Sequence, residues 1–212
     1  MDISRLRHEY KFAPLKRQDM PGDPFQQFQA WFQRACDSDI LEPNAVSLAT
    51  VDAENRPTLR TVLLKYFDER GFVFFTNLGS AKAEQIAGNA NVALMFLWSV
   101  FGHQVIIKGT AEKLQTKEVM RYFLTRPRGS QIGAWVSVQS HVISSRSLLA
   151  AKFDEMKRKF TNREVPLPSL WGGYRVILVE MEFWQGQPDR LHDRFLYTRE
   201  SEDNWNIERL QP

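Results

Sequence analysis

The sequence predicts a mainly β protein, an antiparallel β-barrel with peripheral helices. Residues of high β propensity are concentrated in short runs, the first at 45–51, 58–66 and 72–76. The turn-forming stretches 52–55 and 68–71 separate these runs, and connections this short favour hairpins over crossovers. Further strands are expected at 92–98, 104–114, 174–184, 194–199 and 204–210.

Helices are predicted between and before these strands. Asp23-Pro24 is typical of an N-cap followed by proline in the first helical position, and the apolar spacing that follows predicts a helix ending near Ser38. Pro127 should end a later helix that runs through Thr125. The other helix starts are expected at Ser80, Thr116 and Ser144 or Ser145. We expect these helices to pack on the outside of the barrel.

The size of the chain indicates a single domain. Its 212 residues, 43% hydrophobic, suffice for one well-buried core. Residues 1–20 are polar and basic, so we expect a mobile N-terminal segment followed by one domain over 21–212. The N-terminus lacks an apolar export signal, and no run of about 18 apolar residues occurs. These features predict a cytoplasmic protein without a transmembrane helix.

Composition and motifs exclude several kinds of site. A net charge of +3 is too small to imply general affinity for nucleic acid or membranes, although clustered arginines could still hold phosphates. The sequence has no Gly-x-Gly-x-x-Gly after a strand and no Walker loop, which argues against a Rossmann or P-loop nucleotide site. The four histidines fall at no metal-ligand spacing, and the single cysteine, Cys36, cannot build a zinc site. We therefore expect no metal and interpret Cys36 as a packing residue.

Cations placed to hold phosphate remain. Arg60 and Lys65 are five residues apart on a predicted strand, so their side chains point to opposite faces if the strand is regular. Lys82 lies in the first turn of the helix that Ser80 begins, where backbone amides already favour an anion. Without further support, both patterns are also typical of solvated surface cations.

A second candidate phosphate site lies around Pro127. Tyr122, Arg126 and Ser130 follow one another at intervals of four. They share one helical face if the helix persists past Pro127, or stand across its end if it does not. Together they offer hydroxyl and guanidinium donors to one anion.

The C-terminal segment 182–194 is unusually rich in chemically active side chains. Its sequence, Glu-Phe-Trp-Gln-Gly-Gln-Pro-Asp-Arg-Leu-His-Asp-Arg, places a tryptophan, two arginines and a histidine in one short stretch. With its Phe-Trp and Arg-Leu-His-x-Arg, it resembles the C-terminal signature of the pyridoxine/pyridoxamine phosphate oxidases. The resemblance runs from Arg7 to the last residue through matching stretches at 60–65, 75–77, 80–82, 104–105, 122–135, 139–140 and 171–174.

The resemblance implies an FMN-binding split barrel of antiparallel Greek-key type and a set of flavin-binding residues. Arg60 would contact the phosphate or ribityl end of FMN, and Lys65 would lie at the flavin and the substrate. The implied FMN-binding residues are Arg60, Thr61, Val62, Leu63, Leu64, Lys65, Phe75, Thr76, Lys82, Gln104, Gln139, Ser140, Trp184 and Arg194.

The resemblance also implies a substrate site. Tyr122, Arg126 and Ser130, with Lys65, would hold the substrate phosphate, and a mobile N-terminal piece would close over it. Arg190 and His192 would be catalytic, orienting the substrate and assisting proton removal, and the sequence leaves open which is the base. The implied substrate-binding residues are Arg7, His8, Glu9, Tyr10, Lys65, Tyr122, Arg126, Ser130, Arg190, Leu191 and His192.

The activity implied is FMN-dependent oxidation of pyridoxine or pyridoxamine 5'-phosphate to pyridoxal 5'-phosphate, with molecular oxygen as acceptor and hydrogen peroxide as product. The resemblance further implies a homodimer with FMN at the interface. The alternatives are a non-catalytic flavin or pyridoxal phosphate binding protein and, more weakly, a flavin reductase with a nicotinamide donor.

Three positions depart from the family pattern. Ala81 and His103 stand where basic residues are common, and His8 stands where an arginine is familiar. The first two departures predict weaker cofactor binding rather than a different reaction.

Overall fold

A computed structural model of the chain describes residues 1–6, 9–137, 139–201 and 204–212. Eight antiparallel strands form its sheet, in the order β3-β2-β1-β4-β5-β6-β7-β8. Their bounds are β1 Ala45–Val51, β2 Pro57–Asp68, β3 Gly71–Asn77, β4 Asn91–Trp98, β5 His103–Lys113, β6 Trp171–Gln185, β7 Asp193–Arg199 and β8 Trp205–Leu210.

Pairing between β3 and β6 closes the first six strands into a barrel. Strands β1 to β3 are joined by hairpins, and β4 returns to lie beside β1, which is the Greek-key arrangement. The predicted antiparallel barrel is therefore confirmed.

Strand β6 lets the sheet continue beyond the barrel. Its first part, 171–176, pairs with β3, whereas 180–185 pairs with β7. A bulge against β5 at Lys108/Gly109 lies between the two parts. A Cβ on Gly109 would lie 2.0 Å from the Ile177 carbonyl oxygen, so this close approach requires glycine. Strands β7 and β8 thus form an extension attached to the barrel.

Five α-helices are present in the described part of the chain. They are α1 Pro24–Cys36, α2 Ala81–Gly88, α3 Thr116–Thr125, α4 Arg128–Val136 and α5 Arg146–Lys159. The Asp23 carboxylate accepts the Phe25 amide at 2.9 Å, which confirms the predicted cap of α1. Ser145, rather than Ser144, caps α5 by accepting the Leu148 amide.

Three local predictions fail. Cys36, interpreted as a packing residue, is exposed at the end of α1. Helix α4 was not expected as a separate helix, because only an end of the preceding helix at Pro127 or its continuation past Pro127 was considered, whereas Pro127 occupies the N-cap position of a new helix. Ser80 precedes α2 as predicted, but its hydroxyl makes no capping bond to the helix backbone. It accepts instead from Lys82 Nζ at 3.3 Å, because the lysine side chain is buried beside it.

Two apolar clusters stabilise the fold. The larger fills the barrel around Phe28, Phe72, Phe96 and Phe183, all fully buried. The smaller packs α3 and α4 on the outside of β3 and β6. None of the described helices combines the length and apolarity needed to cross a membrane.

The described part of the N-terminal segment contacts the β7–β8 extension. The Leu15 amide donates to Asp193 Oδ2 at 2.9 Å, and Arg209 Nη2 donates to the Leu15 carbonyl at 2.7 Å. The Tyr197 hydroxyl donates to the Pro21 carbonyl at 2.8 Å. These hydrogen bonds connect the chain around Leu15 to the extension. The mobility expected for residues 1–20 stays a prediction.

Candidate active site

A cavity of about 980 Å³ opens between β2, β3, the start of α2 and the junction of α3 with α4. It unites both phosphate-site candidates of the sequence. The predicted residues that line it are Arg60, Thr61, Val62, Leu63, Lys65, Phe75, Thr76, Lys82, Tyr122, Arg126, Ser130, Gln139 and Ser140.

A bulge in β2 brings Arg60 and Lys65 to this one cavity. Leu64 pairs with Phe74 and Tyr66 with Val73, so Lys65 is the extra residue. The side chains of Arg60 and Lys65 were expected on opposite faces only if the strand was regular. The bulge makes the strand irregular, so both side chains can line one cavity.

The candidate phosphate site around Pro127 stands across the end of a helix, which is the second of the two predicted arrangements. Helix α3 ends at Thr125, Arg126 is extended, and α4 begins at Arg128. Tyr122 and Ser130 therefore lie on different helices, with Arg126 between them at the junction.

The cavity is cationic. Arg60, Lys65, Lys82 and Arg126 line it, and no aspartate or glutamate is found among the described lining residues. Lys82 Nζ has only neutral partners among its hydrogen bonds, Thr76 Oγ1, Ser80 Oγ and Gln139 Oε1, each at 3.3 Å. Burial and the charge of Arg60 lower the pKa of Lys82. Uncompensated positive charge of this kind favours a bound anion.

Arg126 carries a second such charge. Its Nη1 is buried and has no hydrogen-bond partner among the described residues, and burial lowers the pKa of Arg126. Its guanidinium lies 4.7 Å from the centroid of the Trp171 ring. An unpaired buried donor costs about 1–3 kcal/mol, which an oxyanion ligand would offset.

Parallel aromatic rings form one wall of the cavity. Phe75 stacks on Tyr122 at 4.1 Å and on Trp171 at 5.2 Å. Trp171 lines the cavity but was not predicted as a site residue, because as the first residue of a strand it carries no pattern of its own. The Trp-Gly-Gly run could have indicated that Trp171 lies near the site. Its glycine at 173 is required by a close approach to Phe75, because a Cβ there would lie 2.8 Å from the Phe75 ring.

The loop after α4 is tied to β3 and α2. Gln139 Oε1 accepts from Thr76 Oγ1 at 3.2 Å, and Ser140 Oγ accepts the Ala81 amide at 3.3 Å. Ala81 lines the cavity at the start of α2, where a basic side chain would add to the positive charge.

A second cavity of about 620 Å³ lies at the C-terminal signature. Glu9, Tyr10, Trp184, Arg190 and His192 line it, and it shares no lining residue with the first cavity. The Tyr10 ring makes edge contacts with Trp184 at 5.8 Å and with His192 at 5.9 Å. The N-terminal segment therefore reaches the predicted catalytic pair.

Backbone geometry orients that pair. Asp189 and Arg190 have φ of 53° and 61°, a left-handed conformation that non-glycine residues seldom adopt. The Gln187 amide donates to His192 Nδ1 at 3.1 Å, so the neutral imidazole carries its proton on Nε2. Burial and the charge of Arg190 lower the pKa of His192, which favours this neutral form.

Several predicted FMN-binding residues lie away from the first cavity. Gln104, Trp184 and Arg194 stand opposite one another across β5, β6 and β7, and of these only Trp184 lines the second cavity. Arg194 forms a two-point ion pair with Glu182 at 2.8 and 3.0 Å, which raises its pKa.

Leu64 is buried in the barrel core, and Leu191 is 69% exposed. Arg7 and His8 lie outside the described residues.

His103 faces away from Gln104, one of the predicted FMN-binding residues. It stacks on Trp31 at 3.6 Å, and its Nε2 lies 3.2 Å from Gln185 Oε1. Neighbouring residues of a strand point to opposite faces, so His103 is on the other side of the sheet from Gln104. Burial, followed by the charge of Arg34, lowers the pKa of His103 to about 4.

The closed six-stranded barrel, its helices and its cationic cavity define a protein of the split-barrel class with a site suited to anions. The chain belongs to the pyridoxamine 5'-phosphate oxidase family. The family model "Pyridoxamine 5'-phosphate oxidase" matches residues 32–160, and "Pyridoxine 5'-phosphate oxidase C-terminal dimerisation region" matches 171–212.

Curated relatives are similar over their whole length. The chain is 59% identical to a pyridoxine/pyridoxamine 5'-phosphate oxidase of Rippkaea orientalis, with 100% of each chain covered. It is 55% identical to the enzyme of that name from Escherichia coli strain SMS-3-5, over 99% of this chain and 96% of the other.

Among solved structures, PhzG from Burkholderia lata, in complex with tetrahydrophenazine-1-carboxylic acid, matches with a TM-score of 0.86 at 29% identity, covering 92% of this chain and 95% of that one. A pyridoxamine 5'-phosphate oxidase-related, FMN-binding protein from Nostoc punctiforme shares the fold, with a TM-score of 0.71 at 17% identity, over 90% and 98% of the two chains.

Proposed function

We propose that this protein is an FMN-dependent oxidase that converts pyridoxine or pyridoxamine 5'-phosphate to pyridoxal 5'-phosphate. The observation that carries the proposal is the cavity with four cations and no described carboxylate. Three of these charges form two groups, Arg60 of β2 with Lys82 of α2, and Arg126 at the α3–α4 junction, which match one phosphate on the cofactor and one on the substrate. Full-length similarity to pyridoxine/pyridoxamine 5'-phosphate oxidases supports the same function.

Arg60 and Lys82 would hold the FMN phosphate, and Tyr122, Arg126 and Ser130 the substrate phosphate. Bound FMN would supply a two-electron acceptor for the hydride of the substrate carbon. In the overall reaction, the substrate gives up two electrons and two protons, and molecular oxygen takes them up as hydrogen peroxide. On the amine route, water enters and ammonia leaves.

Arg190 and His192 would orient the pyridine ring and the reacting carbon. Because His192 in its neutral form carries the proton on Nε2, it can donate a hydrogen bond to the substrate from that atom. It does not accept a proton there in this tautomer. Tyr10, in contact with both His192 and Trp184, would help exclude water.

Within one chain, the two cavities have no lining residue in common among the described residues. We therefore propose a homodimer in which the Arg190–His192 cavity of one protomer completes the cationic cavity of its partner. The match of 171–212 to a dimerisation region supports this arrangement.

Reduction of the bound flavin by substrate tests the function. The purified protein should carry one releasable FMN per chain, and pyridoxine 5'-phosphate added without oxygen should bleach the visible flavin absorbance. A non-catalytic flavin protein would bind FMN but keep its absorbance. Failure to bind FMN, or no bleaching, would contradict the proposal.

A further inference from the structure

Within the described residues, the hydrogen bonds of Arg60 all go to neutral acceptors. Its Nη1 donates to Thr50 Oγ1 at 2.5 Å and to the Leu48 carbonyl at 3.1 Å. Its Nη2 donates to Thr58 Oγ1 and, at 3.3 Å, to Gln85 Oε1. The hydrogen bonds fix the guanidinium, and none of these partners cancels its charge.

Gln85 is the common member of this network. Its Oε1 lies 2.5 Å from Thr50 Oγ1 and 2.7 Å from Thr58 Oγ1, and both hydroxyls can donate to it. Thr50 and Thr58 are directly paired across β1 and β2, and Thr50 is fully buried. One amide oxygen of α2 therefore accepts hydrogen bonds from side chains of two strands, and one of these donors is the arginine that lines the cavity.

The neutrality of that oxygen has an electrostatic consequence. A carboxylate at the same place would form an ion pair with Arg60 and compete with any anion in the cavity. An amide oxygen accepts the same hydrogen bonds without a negative charge. The full charge of Arg60 thus remains available to a ligand.

We propose that Gln85 is a positioning residue for cofactor binding, which aims Arg60 at the phosphate of FMN and leaves its charge uncompensated. This inference rests on the proposed function, because it takes FMN as the ligand. Gln85 does not line the main cavity itself, so it acts through Arg60.

Titration of apo-protein with FMN and with riboflavin, which lacks the phosphate, separates this role from a general structural one. Gln85→Glu should weaken FMN about tenfold at low salt, with a smaller effect at high salt, because one charge contact is neutralised. The affinity of the Gln85→Glu variant for riboflavin and the Tm of its apo form should stay near the wild-type values. Gln85→Met, which keeps the length but loses the acceptor, should also weaken FMN selectively, and it serves if the glutamate variant does not fold.

Two controls complete the experiment. Glu84→Gln changes charge by one unit on the neighbouring exposed residue and should alter FMN affinity less than about twofold. In an Arg60→Ala background, Gln85→Glu should have no further effect. Equal losses of FMN and riboflavin affinity, or an effect that persists without Arg60, would overturn the inference.

The failures are distinguishable. Wild-type apo-protein that binds neither flavin would overturn the proposed function and this inference with it. Wild type that binds FMN, alongside a Gln85→Glu variant that binds it equally well, would overturn the inference alone.

Discussion

At the scale of single residues, the site is distinguished by cations that have no acidic partner in the part of the chain that the structure describes. Arg126 keeps a buried Nη1 without a hydrogen bond, and Lys82 is buried among neutral oxygens. The sequence predicted Lys82 as a phosphate ligand from its place in the first turn of a helix, and Arg126 from its spacing with Tyr122 and Ser130, both supported by the family resemblance. It could not predict their isolation from carboxylates, because that depends on which chain segments meet at the cavity.

Arg126→Ala should raise the KM for pyridoxine 5'-phosphate about tenfold or more, since a charge-assisted contact contributes about 1.5–3 kcal/mol. Steady-state kinetics with the phosphorylated and the unphosphorylated substrate measure this. Arg121→Ala removes the same charge from the exposed side of α3 and should leave KM near wild type. Equal KM values for the two variants would place the phosphate elsewhere.

His192 offers a test of hydrogen-bond donation against proton removal. His192→Leu should lower kcat by about two orders of magnitude, whereas His192→Gln, whose amide can still donate, should retain several-fold more activity. Flavin content should be unchanged in both. If glutamine is no better than leucine, the donor role assigned to Nε2 is wrong.

At the scale of elements, the strands were largely predictable and the irregular junctions were not. The predicted bounds of β1 match the structure residue for residue, because its alternation of buried and half-buried positions is regular. The bulge at Lys65 follows no regular alternation in the sequence. Helix α4 was not predicted because Pro127 is compatible both with an N-cap and with a helix end. Both irregularities lie at the cavity.

His103, between β5 and α1, should make stability depend on pH. Its folded pKa of about 4 lies below the ordinary 6.5, so the unfolded chain binds the proton more readily between these values. The stabilisation is therefore full above pH 6.5 and is lost as pH falls towards 4, by up to about 3 kcal/mol.

Denaturant unfolding of apo-protein across this range measures the effect. His103→Phe, which can keep the stack on Trp31, should show a shallower loss of stability below pH 6.5. His141→Phe, at an exposed histidine, should follow wild type. Parallel curves for wild type and His103→Phe would contradict the assignment.

At the scale of the molecule, the barrel carries one cavity and the β6–β7 end of the extension carries the other. The sequence resemblance implied both residue sets and their assembly in a dimer, but it could not show that they line separate cavities within one chain. That separation follows from β6, whose two parts pair with different strands. The cytoplasmic location stays a prediction.

Mixed dimers test assembly across two protomers. Arg126→Ala and His192→Leu damage different cavities, so a hybrid of the two variants contains one intact site and one doubly damaged site. Random reassociation should restore about a quarter of wild-type activity under conditions where each variant alone is nearly inactive. Activity no higher than the mean of the separate variants would show that each site belongs to one chain.

The most direct test of the central claim is product formation in air. Purified protein loaded with FMN is mixed with pyridoxine 5'-phosphate, and pyridoxal 5'-phosphate and hydrogen peroxide are quantified together. We expect equal amounts of both products over many turnovers, and none from apo-protein. Holoprotein that holds FMN and binds the substrate yet forms no pyridoxal 5'-phosphate would contradict it.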